Sequence, residues 1–111
     1  MRVILVAAAL LIATAWGVSD RVAASTAPAE IVPVAMRHNH FVPRRIIARL
    51  GQTVRWTNRD AAAHTVASAA LHLSSEAIRG GKSFSYRPRR RGTFAYYCTI
   101  HAGQTGVLVV R

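Results

Sequence analysis

The sequence predicts an all-β domain, an antiparallel β-sandwich of about seven or eight short strands. Several short segments alternate apolar and polar residues with a period of two, as half-buried strands do. Residues that form turns, mainly Gly, Pro and Asn, separate these segments at nearly regular intervals. No stretch beyond the apolar N-terminus shows helical periodicity of useful length, so we expect the 111 residues to contain one domain, a single sandwich.

The first residues are predicted to be a targeting segment. Residues 3–15 are apolar apart from Thr14 and follow Arg2, and small residues at positions 22–24 suit a cleavage site. An uncleaved membrane anchor is the alternative. The apolar run ends at Ser19, however, which is short of the ~20 residues that a spanning helix needs. We therefore expect export to the periplasm or the cell exterior, with an N-terminal anchor as a second arrangement.

Three regions follow from this division of the chain. Residues 1–24 are the expected signal peptide, and residues 25–35 form an N-terminal linker and the start of the first strand. Residues 36–111 form the main domain.

The strands are assigned from alternation and from the turns between them. In Thr53–Asn58, for example, Val54 and Trp56 share one face and the residues between them share the other. The predicted strands are Ile31–Arg37, a strand beginning at Ile46–Leu50, Thr53–Asn58, His64–Ala67, Ser83–Tyr86, Thr93–Tyr97 and Val107–Val110. Residues 38–43 are expected to be a turn, and residues 69–78 either a helical turn or an irregular excursion.

The chain is strongly basic. It has 15 Lys and Arg against four Asp and Glu, and the part after residue 24 keeps an excess of ten positive charges. Such a field attracts acidic proteins and anionic surfaces. Export and the scattered placement of the arginines argue against nucleic acid. We expect a monomer that docks transiently with an acidic redox protein, and consider an anionic membrane surface as a second partner. The turn containing Arg87, Arg89, Arg90 and Arg91 is the candidate docking patch.

The chemistry is concentrated in one short turn between the last two strands. Cys98, His101 and Gln104 follow one another at intervals of three residues. Thiolate and imidazole bind transition metals, and two histidines, one cysteine and a weak axial ligand make up the blue-copper pattern. That pattern needs a second histidine, for which His64 is the candidate. Because Cys98 is the only cysteine, it cannot form an internal disulfide, and its spacing to His101 favours metal binding.

From Met36 to Arg111 the chain resembles the cupredoxins, the small blue copper proteins of the plastocyanin and amicyanin type. The resemblance rests on segments that occur in the family's order. They are Phe41-Val42-Pro43, Gly51 to Asp60, His64-Thr65-Val66, Phe84-Ser85-Tyr86, Gly92 to His101 and Gly106. The short Cys-x₂-His-x₂ loop is more similar to amicyanin than to plastocyanin. The resemblance implies a Greek-key fold and one copper ion that alternates between Cu(I) and Cu(II).

The same resemblance implies ligand roles for His64, Cys98 and His101, and electron transfer through the exposed edge of His101. Two positions depart from the family. Gln104 stands where methionine is usual, and Ala63 stands where proline is frequent. A glutamine oxygen is an accepted axial donor, so Gln104 is expected to be the fourth ligand, although a surface glutamine beside a three-coordinate ion is the alternative. Asn58 and Thr65 are expected to support the ligand loops.

Three functions fit these residues to different degrees. The first is a one-electron carrier, and the second is an exported copper carrier or buffer that does not turn over electrons. An enzyme is the third, but the three acids outside the signal region are scattered and no nucleophile–base motif is present. Zinc is the alternative metal, since two histidines and one cysteine also suit it.

Overall fold

The computed structural model describes residues 30–111, which form nine strands in two sheets. The strands are β1 (Ile31–Arg37), β2 (His40–Val42), β3 (Arg45–Ala48), β4 (Thr53–Asn58), β5 (Ala67–Ser68), β6 (Leu73–Ser74), β7 (Ser83–Tyr86), β8 (Gly92–Tyr97) and β9 (Thr105–Val110). The predicted signal peptide, residues 1–24, and residues 25–29 of the linker lie outside the described residues. Among residues 30–111 no helix is long and apolar enough to cross a membrane.

The two sheets form the predicted all-β sandwich, but their strand pairing is mixed. One sheet has the order β2-β1-β4-β7 and the other β3-β9-β8-β5-β6. β1 pairs with β4 and β3 pairs with β9 in parallel, and the other neighbours are antiparallel. Parallel neighbours need a crossover connection. The chain supplies it by passing through β3 in the opposite sheet between β1 and β4.

Most strand predictions agree closely with the structure where alternation is strong. β1, β4 and β7 have the predicted bounds, whereas the strand predicted from Ile46 begins at Arg45. The turn predicted over residues 38–43 contains β2, because His38 and Asn39 alone make the reversal with positive φ. Residues 69–78 are an irregular excursion that contains β6, and the helical alternative was wrong.

The core lies between the sheets and is dominated by aromatic side chains. Trp56 and Tyr96 are almost completely buried, with ring centroids 5.4 Å apart in an edge-to-face arrangement. Phe41 packs on the other side of Tyr96 at 4.7 Å. Since Trp56 lies near the end of β4 and Tyr96 near the end of β8, this cluster supports the loops that follow both strands. We call this end of the sandwich the Cys98 end.

Candidate metal centre

The loop between β8 and β9 is a tight turn closed by its own backbone. The Cys98 N–H donates to the Gln104 carbonyl at 2.9 Å, and the Gln104 N–H donates to the His101 carbonyl at 3.3 Å. Gly103 has a φ of 84°, a left-handed conformation that glycine adopts without strain. The turn therefore holds Cys98 and His101 around one point and keeps Gln104 in the same closed loop.

His64 reaches the same point from the segment that follows β4. Its N–H donates to the Ile78 carbonyl at 3.1 Å, and its carbonyl accepts from the Ile78 N–H at 2.7 Å. This isolated antiparallel bridge fixes the backbone, and the imidazole is fully buried.

The donor atoms of His64, Cys98 and His101 all lie within 4.8 Å of one another. The Cys98 sulfur is 4.0 Å from Nδ1 of His64 and 3.7 Å from Nδ1 of His101. Ligand atoms 2.0–2.3 Å from one metal ion are separated by roughly 3.5–3.8 Å at trigonal or tetrahedral angles. The three side chains thus already have nearly the spacing that a shared ion requires.

The environment of the Cys98 sulfur favours the thiolate. Burial raises its pKa, but backbone N–H groups of Thr65 and Ile100, each 3.4 Å from the sulfur, and the hydrogen bonds with His101 together lower the pKa to about 6. A thiolate is the form of cysteine that binds metal.

Asp60 orients His64 from the side opposite the sulfur, a contact that the sequence analysis missed. Its Oδ2 is 2.7 Å from Nε2 of His64. The N–H groups of Asn39 and His38 donate to the same carboxylate at 3.1 and 2.8 Å. These two hydrogen bonds, with the contact to His64, lower the Asp60 pKa to about 2 despite partial burial. A carboxylate accepts only, so Nε2 carries a proton, and in the neutral imidazole Nδ1 keeps its lone pair on the side of Cys98.

The same contacts affect the protonation of His64. Burial lowers its pKa, but the hydrogen bonds with Cys98 and Asp60 raise it further than burial lowers it, so that the pKa lies above its usual value. The sequence signal for Asp60 was its position four residues before His64 in a turn, which by itself does not predict contact.

Thr65 and Asn58 hold the loops in place. The Thr65 hydroxyl accepts from the Thr99 N–H at 2.7 Å and lies 2.8 Å from the Thr99 hydroxyl, so it joins the two ligand-bearing segments. The buried Asn58 amide donates to the carbonyls of Ala62 and Ile78 at 2.8 and 2.9 Å. Its oxygen accepts from the Asp60 N–H at 2.8 Å. Asn58 thereby shapes the loop that carries Asp60.

Gln104 is buried with its amide unpaired. It is 1% exposed, and within residues 30–111 neither Oε1 nor Nε2 has a hydrogen-bond partner. Leaving a buried amide without partners is costly. The other unpartnered buried side-chain atoms in this part of the chain are Trp56 Nε1 and the Tyr96 hydroxyl, one atom each. Gln104 thus contributes a buried, unpaired amide from the loop that carries Cys98 and His101.

The remaining histidines do not assemble a second site. In the part of the chain that the structure describes, His64, Cys98 and His101 are the only group of three or more His, Cys, Asp or Glu residues close enough to share an ion. His38, His40 and His72 are exposed.

The candidate docking patch lies at the opposite end of the sandwich. Arg87, Arg89, Arg90 and Arg91 belong to the loop that precedes β8, whereas Cys98 follows it. The six residues of β8 span roughly 20 Å at ~3.3 Å per residue. We call this pole the arginine end; its exposed arginines are Arg49, Arg87, Arg89, Arg90, Arg91 and Arg111.

Comparison with known proteins gives a consistent family. The family model for a cupredoxin-like domain matches residues 5–110. Amicyanin from Paracoccus denitrificans is 31% identical over 93 residues, which cover 79% of this chain and 70% of that protein. Amicyanin from Paracoccus versutus is 27% identical over 94 residues, covering 80% and 71%. A solved structure of a Met-to-Gln mutant of amicyanin in the Cu(I) form has a TM-score of 0.70 at 27% identity, covering 73% of this chain and 82% of that one.

Proposed function

This chain belongs to the cupredoxin-like family, and from that premise we propose that it is an exported type 1 copper protein that carries single electrons between redox partners. The observation that carries the proposal is the convergence of His64, Cys98 and His101, with donor atoms within 4.8 Å. Copper in such a site supplies one-electron chemistry by alternating between Cu(II) and Cu(I).

The protein's part is to hold the ligands in one geometry. Cys98 would bind as a thiolate, stabilised by the N–H groups of Thr65 and Ile100. His64 and His101 would bind through Nδ1, and Asp60 fixes the orientation of the His64 ring. Because the loops are tied together through Thr65 and Thr99, the ligands move little between oxidation states, which favours electron transfer over bond-making chemistry. We therefore propose a carrier and not an enzyme.

His101 is proposed as the point of electron exit. It is partly exposed, whereas His64 and Cys98 are buried. Ile100 beside it is 50% exposed, and Ala102 is exposed as well. This small apolar surface suits a brief encounter with a redox protein. We propose that the partner is acidic and that this chain docks with it as a monomer.

The first prediction tests the metal and the carrier role together. The copper-loaded chain should be intensely coloured when oxidised, since a Cys thiolate bound to Cu(II) gives strong visible charge transfer. Cys98→Ser should abolish the colour. Cyclic voltammetry should show a reversible one-electron couple. A colourless Cu(II) complex of the unaltered chain would refute the blue-copper assignment, and colour without reversible cycling would favour a copper carrier or buffer.

We further propose that Gln104 is the axial ligand. Its amide has no hydrogen-bond partner within residues 30–111 although it is almost fully buried. Coordination through Oε1 would satisfy one of the two unpaired amide atoms and so lower the cost of burying them. A glutamine oxygen is a harder donor than a methionine sulfur. It should favour Cu(II) and so lower the reduction potential.

The second prediction follows from this ligand. Gln104→Met should raise the midpoint potential by about 60–120 mV, where 59 mV is a tenfold change for one electron. Gln52→Met makes the same chemical change at the arginine end and should leave the potential unaltered. Equal potentials for the unaltered chain and Gln104→Met would show that Gln104 is not a ligand.

Export rests on the sequence of residues 1–24, which we propose to be a signal peptide ahead of the linker (25–35) and the copper domain (36–111). The structure begins the sandwich at Ile31, so residues 31–35 of the predicted linker belong to β1, which ends at Arg37. Mass spectrometry of the protein recovered after secretion should locate the new N-terminus near Ser25. If the recovered protein still begins at Met1 or Arg2, the result would favour an N-terminal anchor.

A further inference from the structure

The arginine end is a second charged surface that the electron-carrier role does not use. Its six arginines come from three neighbouring segments: the turn between β3 and β4, the loop between β7 and β8, and the residue after β9. Gly51 of the first segment lies beside the Arg87 guanidinium, and the Leu50 N–H donates to the Arg111 carbonyl at 3.0 Å. The segments therefore form one surface.

Positive charge predominates on this surface, although the Glu30 carboxylate lies at the same end. All six arginines are exposed, and within residues 30–111 none of them lies within ion-pair distance of a carboxylate. Arg90 is partly engaged, because its guanidinium lies 5.0 Å from the centre of the Phe94 ring and donates to the Ala70 carbonyl at 2.6 Å. Arg87 and Arg89 also line a groove of about 650 Å³ with Leu71, His72 and Tyr86. The surface thus combines free guanidinium groups with some apolar area.

The N-terminal part of the chain enters the sandwich at this same end. The Glu30 carbonyl accepts from the Thr53 N–H at 3.4 Å, and the Glu30 carboxylate accepts from the Gln52 amide at 3.2 Å. The 29 residues before Glu30 include the apolar run 3–15. Whatever part of that segment is retained is thus connected to the basic end of the domain and not to the Cys98 end.

We propose that the arginine end binds anionic lipid headgroups and thereby holds the Cys98 end away from the membrane. Guanidinium groups pair well with phosphate. A cluster of basic residues is attracted to anionic headgroups, and an apolar N-terminal segment, if retained, would strengthen that association. In this orientation His101 lies roughly 20 Å or more above the lipid surface, estimated from the length of β8, and stays free for a soluble partner. An acidic protein on the same face is the competing occupant.

The test compares two triple variants with the same change in charge. Arg87, Arg89 and Arg91 are replaced by Gln at the arginine end, and Arg90 is kept because it packs on Phe94. The matched control replaces Arg37, Arg44 and Arg59, which are exposed at or near the Cys98 end, by Gln. The chain recovered after secretion is mixed, at about 0.1 M salt, with phosphatidylcholine vesicles and with vesicles that also contain phosphatidylglycerol, and the bound fraction is measured by sedimentation.

We expect the unaltered chain to prefer the anionic vesicles. Each arginine near an anionic surface contributes roughly fivefold to binding, so the Arg87/Arg89/Arg91 variant should bind on the order of a hundredfold more weakly. The control variant should lose much less, because its charges face away from the lipid beyond the ~10 Å screening length at 0.1 M salt. Circular dichroism and thermal unfolding should show that both variants fold. An N-terminal anchor alone would give binding independent of lipid charge.

Binding to soluble polyglutamate is measured in parallel as a probe for acidic proteins. Three results would overturn the proposal: no preference for anionic vesicles, equal losses of vesicle binding in the two variants, or an Arg87/Arg89/Arg91 variant that loses polyglutamate binding but keeps vesicle binding. The last would assign the face to an acidic protein. None of these measurements needs copper, so they can be made on the metal-free chain. Failure of the lipid proposal is therefore distinguishable from failure of the copper assignment.

Discussion

At the scale of single residues, the Cys98 sulfur receives hydrogen bonds from both ligand-bearing segments. The Thr65 N–H comes from the segment with His64, and the Ile100 N–H comes from the turn with His101, each at 3.4 Å. Hydrogen bonds to the cysteine sulfur tune the potential of a copper site. They withdraw electron density that the thiolate would otherwise give to Cu(II), and so they favour Cu(I).

A prediction at this scale concerns Ile100. Replacing Ile100 by proline removes one N–H donor to the sulfur, and the midpoint potential should fall by tens of millivolts, up to about 60 mV. Ile100→Ala keeps the backbone N–H and trims the same side chain, so its potential should stay near that of the unaltered chain. Voltammetry of the three proteins in one buffer decides the matter. A drop in both variants would point to the lost apolar side chain instead.

Residue spacing in the sequence singled out the metal-ligand candidates, and the family resemblance pointed to Asn58 and Thr65 as supports of their loops, but nothing pointed to Asp60. Cys98 and His101 are neighbours in one turn, and His64 lies in a segment that a sandwich brings to the same end. Asp60 could not be predicted, since its contact with His64 depends on the positive φ angles of His38 and Asn39, which aim two N–H groups at its carboxylate. Those angles belong to a turn of a different strand pair.

At the scale of elements, the pairing of β8 with β9 supports the ligand turn from below. Tyr96 of β8 lies opposite Gly106 of β9, and the Tyr96 ring covers the glycine. A Cβ at position 106 would lie 2.3 Å from Cζ of Tyr96, closer than any real contact. Tyr96 itself is wedged between Phe41 and Trp56 and cannot move freely.

We therefore expect Gly106→Ala to be destabilising. Overpacking a rigid core costs about 1–3 kcal/mol, which should appear as a lower free energy of unfolding in chemical denaturation of the metal-free chain. The double variant Gly106→Ala, Tyr96→Leu should lose less than the sum of its single variants, because the smaller side chain makes room for the methyl group. Strict additivity would contradict the proposed collision.

The strands differed in how well the sequence predicted them. Alternation in Thr53–Asn58 predicted the bounds of β4, since this strand is buried on one face along its whole length. β5 and β6 have two residues each, and β5 is defined by its pairing with Tyr97 of β8. Two residues are too few for a periodic pattern. The parallel pairing of β1 with β4 is likewise a property of the crossover and not of either strand's composition.

At the scale of the whole molecule, positive charge is present at both ends of the sandwich. The arginines at one end are too far from those at the other to act on the same bound partner. Arg44 donates to the Thr105 hydroxyl next to Gln104, and Arg59 adjoins Asp60. The arginine end lies roughly 20 Å farther along β8. The surface formed by Arg87, Arg89, Arg90 and Arg91, for which a docking role was expected from the sequence, is therefore remote from His101.

The last prediction uses ferricyanide, an anionic oxidant, as the probe. Its rate of oxidation of the reduced copper protein should fall as salt is added, since exposed charges are screened over ~10 Å at 0.1 M ionic strength. The Arg37/Arg44/Arg59 variant should lose much of this salt dependence in stopped-flow measurements. The Arg87/Arg89/Arg91 variant should keep most of it. Equal flattening in both would mean that net charge alone governs the encounter.

The position of β9 within its sheet also sets the order in which the protein can be completed. β9 lies between β3 and β8. The strand partner of Arg45 is Val107, which is synthesised 62 residues later. Until β9 has been synthesised, the five-stranded sheet has a gap at its second position and the turn with Cys98 and His101 has only one supporting strand. Copper capture must then be a late event, after the whole polypeptide has emerged. An incomplete chain would carry the Cys98 thiol without the ligand loops that surround it in the complete domain.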